Sequence, residues 1–158
     1  MDLSMKWREL LENPFFQNIP YKVELNQFGQ ILMSPASNLH GRLQYQIGQA
    51  IESKKQNGEI LIECSILTRE GVKVAGVVWA SDEFIEEFGY ETTYKKAPEI
   101  CIEVLSPANS KAEIDEKIRL YLEKGALEVW TVTNTGKIKF FTHTGEIKKS
   151  KLVGLIKI

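Results

Sequence analysis

The sequence predicts one α/β domain over residues 1–158, built as an α+β sandwich in which helices cover a mixed sheet. Two observations lead to this class. From residue 37 onward, helical and strand periodicities follow one another in the order helix, strand, strand, strand, helix, strand. The chain has 158 residues, of which 43% are hydrophobic and 26% are charged, and this is the composition of a single globular domain. A hairpin is expected before this core and extra strands after it.

Residues 1–19 are expected to form an N-terminal helical arm. Its helix runs from Ser4 to Leu11, with Trp7, Leu10 and Leu11 on one face, and it ends before Pro14 because proline interrupts helices. The hairpin follows. Its β-prone strands, Tyr21–Leu25 and Gln30–Ser34, flank the turn-rich tetrad Asn26–Gly29.

The first long helix begins after Ser37, which can cap it, and continues to Asn57–Gly58. Its predicted buried stripe consists of Leu43, Ile47, Ala50 and Ile51. Two strands, Glu59–Leu67 and Val72–Ala80, come next and are joined by the four residues Thr68–Gly71. Such a short connection predicts an antiparallel pair.

Four more elements follow. A short helix capped by Ser81 or Asp82 ends near Phe88, and a strand then covers Glu99–Leu105. The spacing Ser110-x-x-Glu113 is a capping box, which starts an amphipathic helix that Gly125 ends. A strand over Leu127–Thr133 follows, and residues 136–158 are expected to add antiparallel strands.

Composition excludes several classes of protein. No run approaches the 18 consecutive apolar residues typical of a membrane span, and the first ten residues carry charges where a secretory signal would be apolar. We therefore expect no membrane association and a cytoplasmic location. Cys64 and Cys101 alternate with isoleucines, which favours buried thiols over a disulfide or a metal site.

Positive charge is concentrated near the C-terminus. Residues 137–158 hold six lysines and one acidic residue, a local balance of +5 in a chain whose net charge is −1. We name Lys137, Lys139, Lys148 and Lys149 as candidates for contact with nucleic-acid phosphates. The alternative is that these lysines only discourage pairing at a strand edge.

Glu103 is the strongest candidate for a functional residue. It lies in an apolar strand in which Ile100, Ile102 and Val104 share one face and Glu103 points to the other. A buried carboxylate requires a cation, a metal ion or a proton. Lys117 is the candidate cation, because it flanks the buried stripe of the following helix. A purely structural ion pair between Glu103 and Lys117 is the alternative.

The motifs resemble a known family. The chain is similar to the putative restriction endonuclease family of unknown function, which is part of the PD-(D/E)XK nuclease superfamily, over roughly residues 20–135. The resemblance rests on the run Ala97–Pro107, then Lys117, Tyr121, Gly125 and Glu128–Trp130, and upstream on Val23–Leu25, Gly29, Met33–Pro35, His40 and Gly71–Ser81.

The resemblance implies a restriction endonuclease-like core that holds Mg²⁺ or Mn²⁺ and hydrolyses DNA phosphodiester bonds. Acidic residues on two adjacent strands would hold the ion, with Glu103 as one ligand and Lys117 stabilising negative charge. The superfamily's usual lysine position is Leu105 here, and the family's shift of this lysine to the helix maps it to Lys117. The other ligand, an aspartate, falls on Gly76, which supplies no ligand.

Glu63 is a possible replacement for the missing ligand. If Thr68–Gly71 is a four-residue loop, Leu67 faces Val72 and Ser65 faces Val74, so that Glu63 faces Gly76 across the ladder. A register slip of one residue would turn Glu63 to the opposite face of the sheet.

Two further residues are candidates through the resemblance, which puts Glu24 and His40 near the family's pocket. Glu24 is alternatively a structural partner for a lysine or a backbone amide. His40 starts the buried stripe of its helix and is alternatively a capping or core histidine.

Two functions remain open from the sequence. The first is a metal-dependent DNA endonuclease, with two-fold pairing of the chain as the expected assembly. The second is a catalytically inactive relative, a pseudoenzyme, that binds nucleic acid or a protein partner. Gly76 is the feature that favours the second function.

Overall fold

The computed structural model describes all 158 residues and contains eight β-strands and four α-helices. The strands are β1 (Tyr21–Leu25), β2 (Ile31–Pro35), β3 (Gly58–Thr68), β4 (Gly71–Ser81), β5 (Ile100–Val104), β6 (Glu128–Val132), β7 (Ile138–Thr142) and β8 (Gly145–Ile147). The helices are α1 (Leu3–Glu12), α2 (Asn38–Glu52), α3 (Asp82–Phe88) and α4 (Lys111–Glu123). A 3-10 turn at Pro14–Phe16 follows α1.

Six of the strands form one mixed sheet in the order β3-β4-β5-β6-β7-β8. Strands β5 and β6 are parallel, because α4 connects them as a crossover, and all other neighbours in the sheet are antiparallel. Strands β1 and β2 form a separate hairpin. The predicted α+β class and the predicted order of core elements are confirmed.

The sheet separates two large hydrophobic clusters. Cys101 of β5 faces a cluster closed by α3 and α4, whereas Ile100, Ile102 and Val104 face a second cluster closed by α2 and the C-terminal segment. The alternation read from the sequence of β5 is therefore confirmed. A smaller third cluster joins Trp7 and Leu10 of α1 to β1 and to the start of β4.

The predicted signals at the starts of α2 and α4 are confirmed, whereas α2 ends at Glu52, before the predicted stop at Asn57–Gly58. The side chain of Ser37 caps α2, and both hydrogen bonds of the capping box between Ser110 and Glu113 are present at α4. Both cysteines are free and buried, and burial raises the pKa of the Cys64 thiol to about 12. None of the four helices is both long and apolar enough to span a lipid bilayer.

One expectation about exposure was wrong. Leu11, assigned to the buried face of α1, is 45% exposed, because Leu3, Trp7 and Leu10 are the residues of α1 that pack in the third cluster. Glu99, just before β5, is half-buried and hydrogen-bonded. Its carboxylate accepts hydrogen bonds from the backbone N–H and the hydroxyl of Ser81, the residue that caps α3.

Candidate active site

Glu103 is buried and fully engaged by hydrogen-bond donors. It projects from β5 with 7% of its surface exposed. Its Oε1 accepts hydrogen bonds from the Tyr121 hydroxyl at 2.7 Å and from Lys117 Nζ at 3.4 Å, and its Oε2 accepts one from Lys22 Nζ at 3.3 Å. Two ammonium groups and a phenol therefore surround this carboxylate.

Lys117 reaches the sheet because of its place on α4. Ile118 and Tyr121 of this helix pack into the first cluster, so Lys117 lies at the flank of the packed face. Its Nζ is 3.0 Å from Oε2 of Glu24, which is also buried. The same Glu24 oxygen accepts a hydrogen bond from the Val74 backbone N–H at 2.7 Å. Glu24 thus has both of the structural partners considered for it, a lysine and a backbone amide.

The charges in this network stabilise one another. Burial raises the pKa of Glu103, but Lys117, Lys22 and the Tyr121 hydroxyl outweigh burial and hold this pKa below its ordinary value. Burial lowers the pKa of Lys117, but the charges of Glu103 and Glu24 raise this pKa by more than burial lowers it. The ammonium of Lys117 therefore stays charged. The four groups Lys22, Lys117, Glu24 and Glu103 therefore sum to zero charge.

The position of the expected aspartate contains the amide of Gln44. A Cβ atom added at Gly76 would lie 2.9 Å from Gln44 Nε2. This amide, carried by α2, donates to Glu63 Oε1 at 2.7 Å and to the Gly76 carbonyl at 3.4 Å. The close neighbour is the end of a flexible side chain, so a larger residue at position 76 would need only a shift of Gln44.

Glu63 lies directly across from Gly76, as the loop length predicted. Leu67 pairs with Val72 and Ser65 with Val74. The regular pairs Cys64–Ala75 and Ile62–Val77 flank Glu63 and Gly76, which therefore lie opposite each other. Leu61 and Cys64 both face the first cluster, although strict alternation would put them on opposite faces. The strand is therefore kinked at Glu63, whose φ of 56° is in the left-handed region.

This backbone conformation yields a stability prediction. Both Glu63→Gly and Glu63→Ala remove the carboxylate, but only glycine adopts a positive φ without strain. We expect the glycine variant to be more stable, with a free energy of unfolding about 1 kcal/mol larger than that of the alanine variant. Urea denaturation measures this difference. The same pair of substitutions at Glu59, in the regular part of β3, should show the opposite order; equal stability at position 63 would contradict the prediction.

His40 lies in the first turn of α2 and lines the cleft. Its backbone N–H donates to the hydroxyl oxygen of the capping residue Ser37, and its half-buried imidazole makes no hydrogen bond to the protein. Burial, followed by the charge of Lys22, lowers the pKa of this imidazole and favours its neutral form. His40 is therefore a residue of the cleft wall and does not belong to any of the three hydrophobic clusters.

Two connected depressions meet at this site. A cleft of about 390 Å³ is lined by His40, Gln44, Glu63, Glu103 and Lys117 together with parts of β2. A larger groove of about 810 Å³ runs between the N-terminal arm and β3, and most of its lining residues are hydrophobic. Tyr21, Lys22 and Glu63 line both depressions.

The four C-terminal lysines do not reach this cleft. Lys137 and Lys139 lie at or next to β7, and Lys148 and Lys149 follow β8, at the end of the sheet remote from β4. All four are exposed, and Lys139 is 3.9 Å from Glu146. None of them lines the cleft. Contact between these lysines and nucleic acid stays a prediction.

Sequence reasoning missed Lys22 and Gln44. Lys22 is two residues before Glu24 on β1, so the two side chains share a face of the hairpin, and this spacing was an available signal. Gln44 lies next to Leu43 and is itself buried, and a polar residue inside a buried stripe was also a visible anomaly.

The donor set does not fit a divalent ion as it is arranged. No three His, Cys, Asp or Glu side chains are placed to share a metal ion. Position 76 supplies no carboxylate, Gln44 holds one oxygen of Glu63, and N–H or O–H donors occupy both oxygens of Glu103. Hard cations such as Mg²⁺ require several free oxygen ligands.

Comparison with protein families assigns the chain. A family model described as putative restriction endonuclease matches residues 7–150. This chain belongs to the putative restriction endonuclease family. Membership supports a nuclease assignment for the chain and confirms the family resemblance seen in the sequence.

A structural comparison agrees with the restriction endonuclease family at the level of fold. A crystal structure of a putative nuclease from Anabaena variabilis superposes with a TM-score of 0.68 at 17% sequence identity, covering 95% of this chain and 93% of that chain. At this identity the similarity establishes the fold alone. No curated protein sequence matches the chain.

Proposed function

We propose that this protein is a member of the nuclease family that binds DNA but has lost metal-assisted hydrolysis of phosphodiester bonds. The observation that carries the proposal is Gly76, at the position where the family resemblance requires an aspartate ligand. A divalent ion, when bound in such a nuclease, activates water and neutralises phosphate charge. With Gly76 in β4, the carboxylates of this cleft are Glu63 and Glu103, and both accept hydrogen bonds from neighbouring side chains.

DNA is the proposed ligand because the family is one of nucleases and because Lys22 and Lys117 line the cleft. Both ammonium groups are already paired with glutamates, so a phosphate has to compete with Glu103 and Glu24. We therefore expect binding in the non-specific range, with dissociation constants of about 10⁻⁴–10⁻⁶ M, that weakens steeply with salt. Fluorescence anisotropy of a labelled duplex at two salt concentrations measures this. Absence of binding at low salt would favour a protein partner.

One observation favours a second candidate function, an active Mg²⁺- or Mn²⁺-dependent endonuclease. Glu63 faces Gly76 across the ladder and lines the cleft beside Glu103. A shift of the Gln44 amide would free its carboxylate for an ion. In this candidate Glu63 replaces the missing ligand, Glu103 is the other ligand, and Lys117 stabilises the developing negative charge.

A plasmid-nicking assay with Mg²⁺ and with Mn²⁺ separates the two candidates. We expect the natural chain to leave the plasmid intact. Gly76→Asp should cleave it at saturating Mn²⁺, and the added substitution Glu103→Ala should abolish that cleavage. Cleavage by the natural chain that disappears in Glu63→Ala and in Glu103→Ala would contradict the first candidate and support the second.

Two-fold pairing of the chain stays a prediction. Light scattering of the purified protein measures its oligomeric state.

A further inference from the structure

The cleft holds one more cation than the family resemblance accounts for. The resemblance assigns a single lysine, Lys117, to the site. Lys22, carried by β1, is a second one, and its Nζ is 3.3 Å from Oε2 of Glu103 with only 10% of its side chain exposed. Lys117 and Tyr121 both contact the other oxygen, Oε1. Lys117 and Tyr121 of α4 do not contact Oε2, and Lys22 binds this oxygen instead.

Building on the proposed loss of the metal site, we propose that the Lys22 ammonium takes the place of a divalent cation on Glu103 and opposes metal binding there. The ammonium of Lys22 is then a reason why the cleft does not hold a metal ion, in addition to the missing carboxylate at Gly76 and the Gln44 amide that holds Glu63. Lys22 lines both the cleft and the neighbouring groove, and its ammonium contacts the carboxylate of Glu103, which also lines the cleft.

The charges around the cleft support this role for Lys22. The cleft and its floor contain three glutamates, Glu24, Glu63 and Glu103, and the buried Lys73 acts on Glu24 and Glu103 in addition to Lys22 and Lys117, so that the lysines and glutamates balance. A dication beside Glu103 would be close to the ammonium groups of Lys22 and Lys117, and like charges at such distances repel strongly in a poorly solvated site. Removal of Lys22 leaves one negative charge in excess and frees Oε2. Both changes favour a metal ion.

The experiment titrates Mn²⁺ alone into four proteins by calorimetry. These are the natural chain, Lys22→Met, Gly76→Asp and the double variant. We expect no saturable binding to the natural chain, and binding to the double variant at least about tenfold tighter than to Gly76→Asp. Methionine keeps the length and apolar contacts of the lysine stem without its charge. The Mn²⁺-dependent rise in melting temperature should follow the same order.

A matched control distinguishes the effect of losing the lysine charge inside the cleft from the effect of lowering the net charge of the whole protein. Lys139→Met combined with Gly76→Asp changes the net charge equally but acts on an exposed lysine of β7 that does not line the cleft. This protein should bind Mn²⁺ as Gly76→Asp does. If Lys22→Met does not fold, Lys22→Gln keeps a hydrogen-bond donor for Glu103 and takes its place.

The outcomes distinguish this inference from the proposed function. Equal affinity of Gly76→Asp and the double variant would overturn the role of Lys22 and leave the proposed function intact. An equal gain from Lys139→Met would overturn it as well, because only bulk charge would then matter. Saturable Mn²⁺ binding by the natural chain would overturn both the role of Lys22 and the proposed loss of the metal site.

Discussion

Replacing Lys117 with methionine is expected to lower the free energy of unfolding by about 3–5 kcal/mol, because it leaves a buried carboxylate without its cation. Lys117 contacts Glu24 at 3.0 Å and Glu103 at 3.4 Å, and both carboxylates are buried. Glu103 keeps Lys22, whereas Glu24 loses its ion pair and keeps a hydrogen bond from Val74 and the more distant charge of Lys73. Thermal melting should show a decrease of roughly 10 °C for a chain of this size.

The control for Lys117 is Lys111, on the same helix. Lys111 pairs with Asp115 at 2.9 Å, but its side chain is 89% exposed. Exposed pairs of this kind contribute little to stability, so the melting temperature of Lys111→Met should equal that of the natural chain. Equal melting temperatures for Lys117→Met and the natural chain would show that the ion network does not hold α4 to the sheet.

The same network predicts a pH dependence of stability. The pKa of Glu103 is below its ordinary value in the folded protein, so its contribution is present above the unfolded pKa and is lost as pH falls through the folded one. The pKa of Lys117 is raised, so its contribution is lost only in strong alkali. The stability difference between the natural chain and Glu103→Gln should therefore be constant from about pH 6 to 9 and shrink in acid. Urea denaturation across this range measures it.

Glu128 is the second residue whose loss should have a large effect. Its carboxylate, 1% exposed at the start of β6, accepts four hydrogen bonds. The donors are Trp130 Nε1, the Ser150 hydroxyl and the backbone N–H groups of Lys151 and Leu152, at 2.7, 2.7, 2.7 and 3.1 Å. Glu128→Ala leaves these donors unsatisfied, and we expect a loss of about 4 kcal/mol.

The Glu128 substitution should act mainly on the C-terminal segment, residues 150–158. This segment closes the second cluster with Leu152, Val153, Ile156 and Ile158, and Glu128 attaches it to β6. Limited proteolysis should therefore cut Glu128→Ala within this segment before the natural chain is cut. Glu146→Ala, at an exposed position of β8, is the control and should resist as the natural chain does. Unchanged proteolysis of Glu128→Ala would contradict the proposed attachment.

The sequence alone determined those features that depend on neighbours within one strand, turn or helix. The alternation along β5 put Glu103 on the face opposite Ile102, and the capping box placed the start of α4. The short connection after Leu67 predicted the pairing that brings Glu63 to Gly76; the structure keeps this register but shortens the loop to Arg69–Glu70, because Thr68 pairs with Gly71. These signals are local because side-chain periodicity, caps and hairpin loops act over a few residues.

Only the tertiary structure decided how the charges of the site are balanced. Lys22 and Glu103 are 81 residues apart, and Gln44 and Glu63 are 19 apart. Such contacts depend on how the hairpin, α2 and α4 pack against β4 and β5, and no local pattern encodes that packing. The sequence therefore identified Glu103 as a carboxylate that needs a cation, whereas the structure showed that two lysines from different elements already supply it.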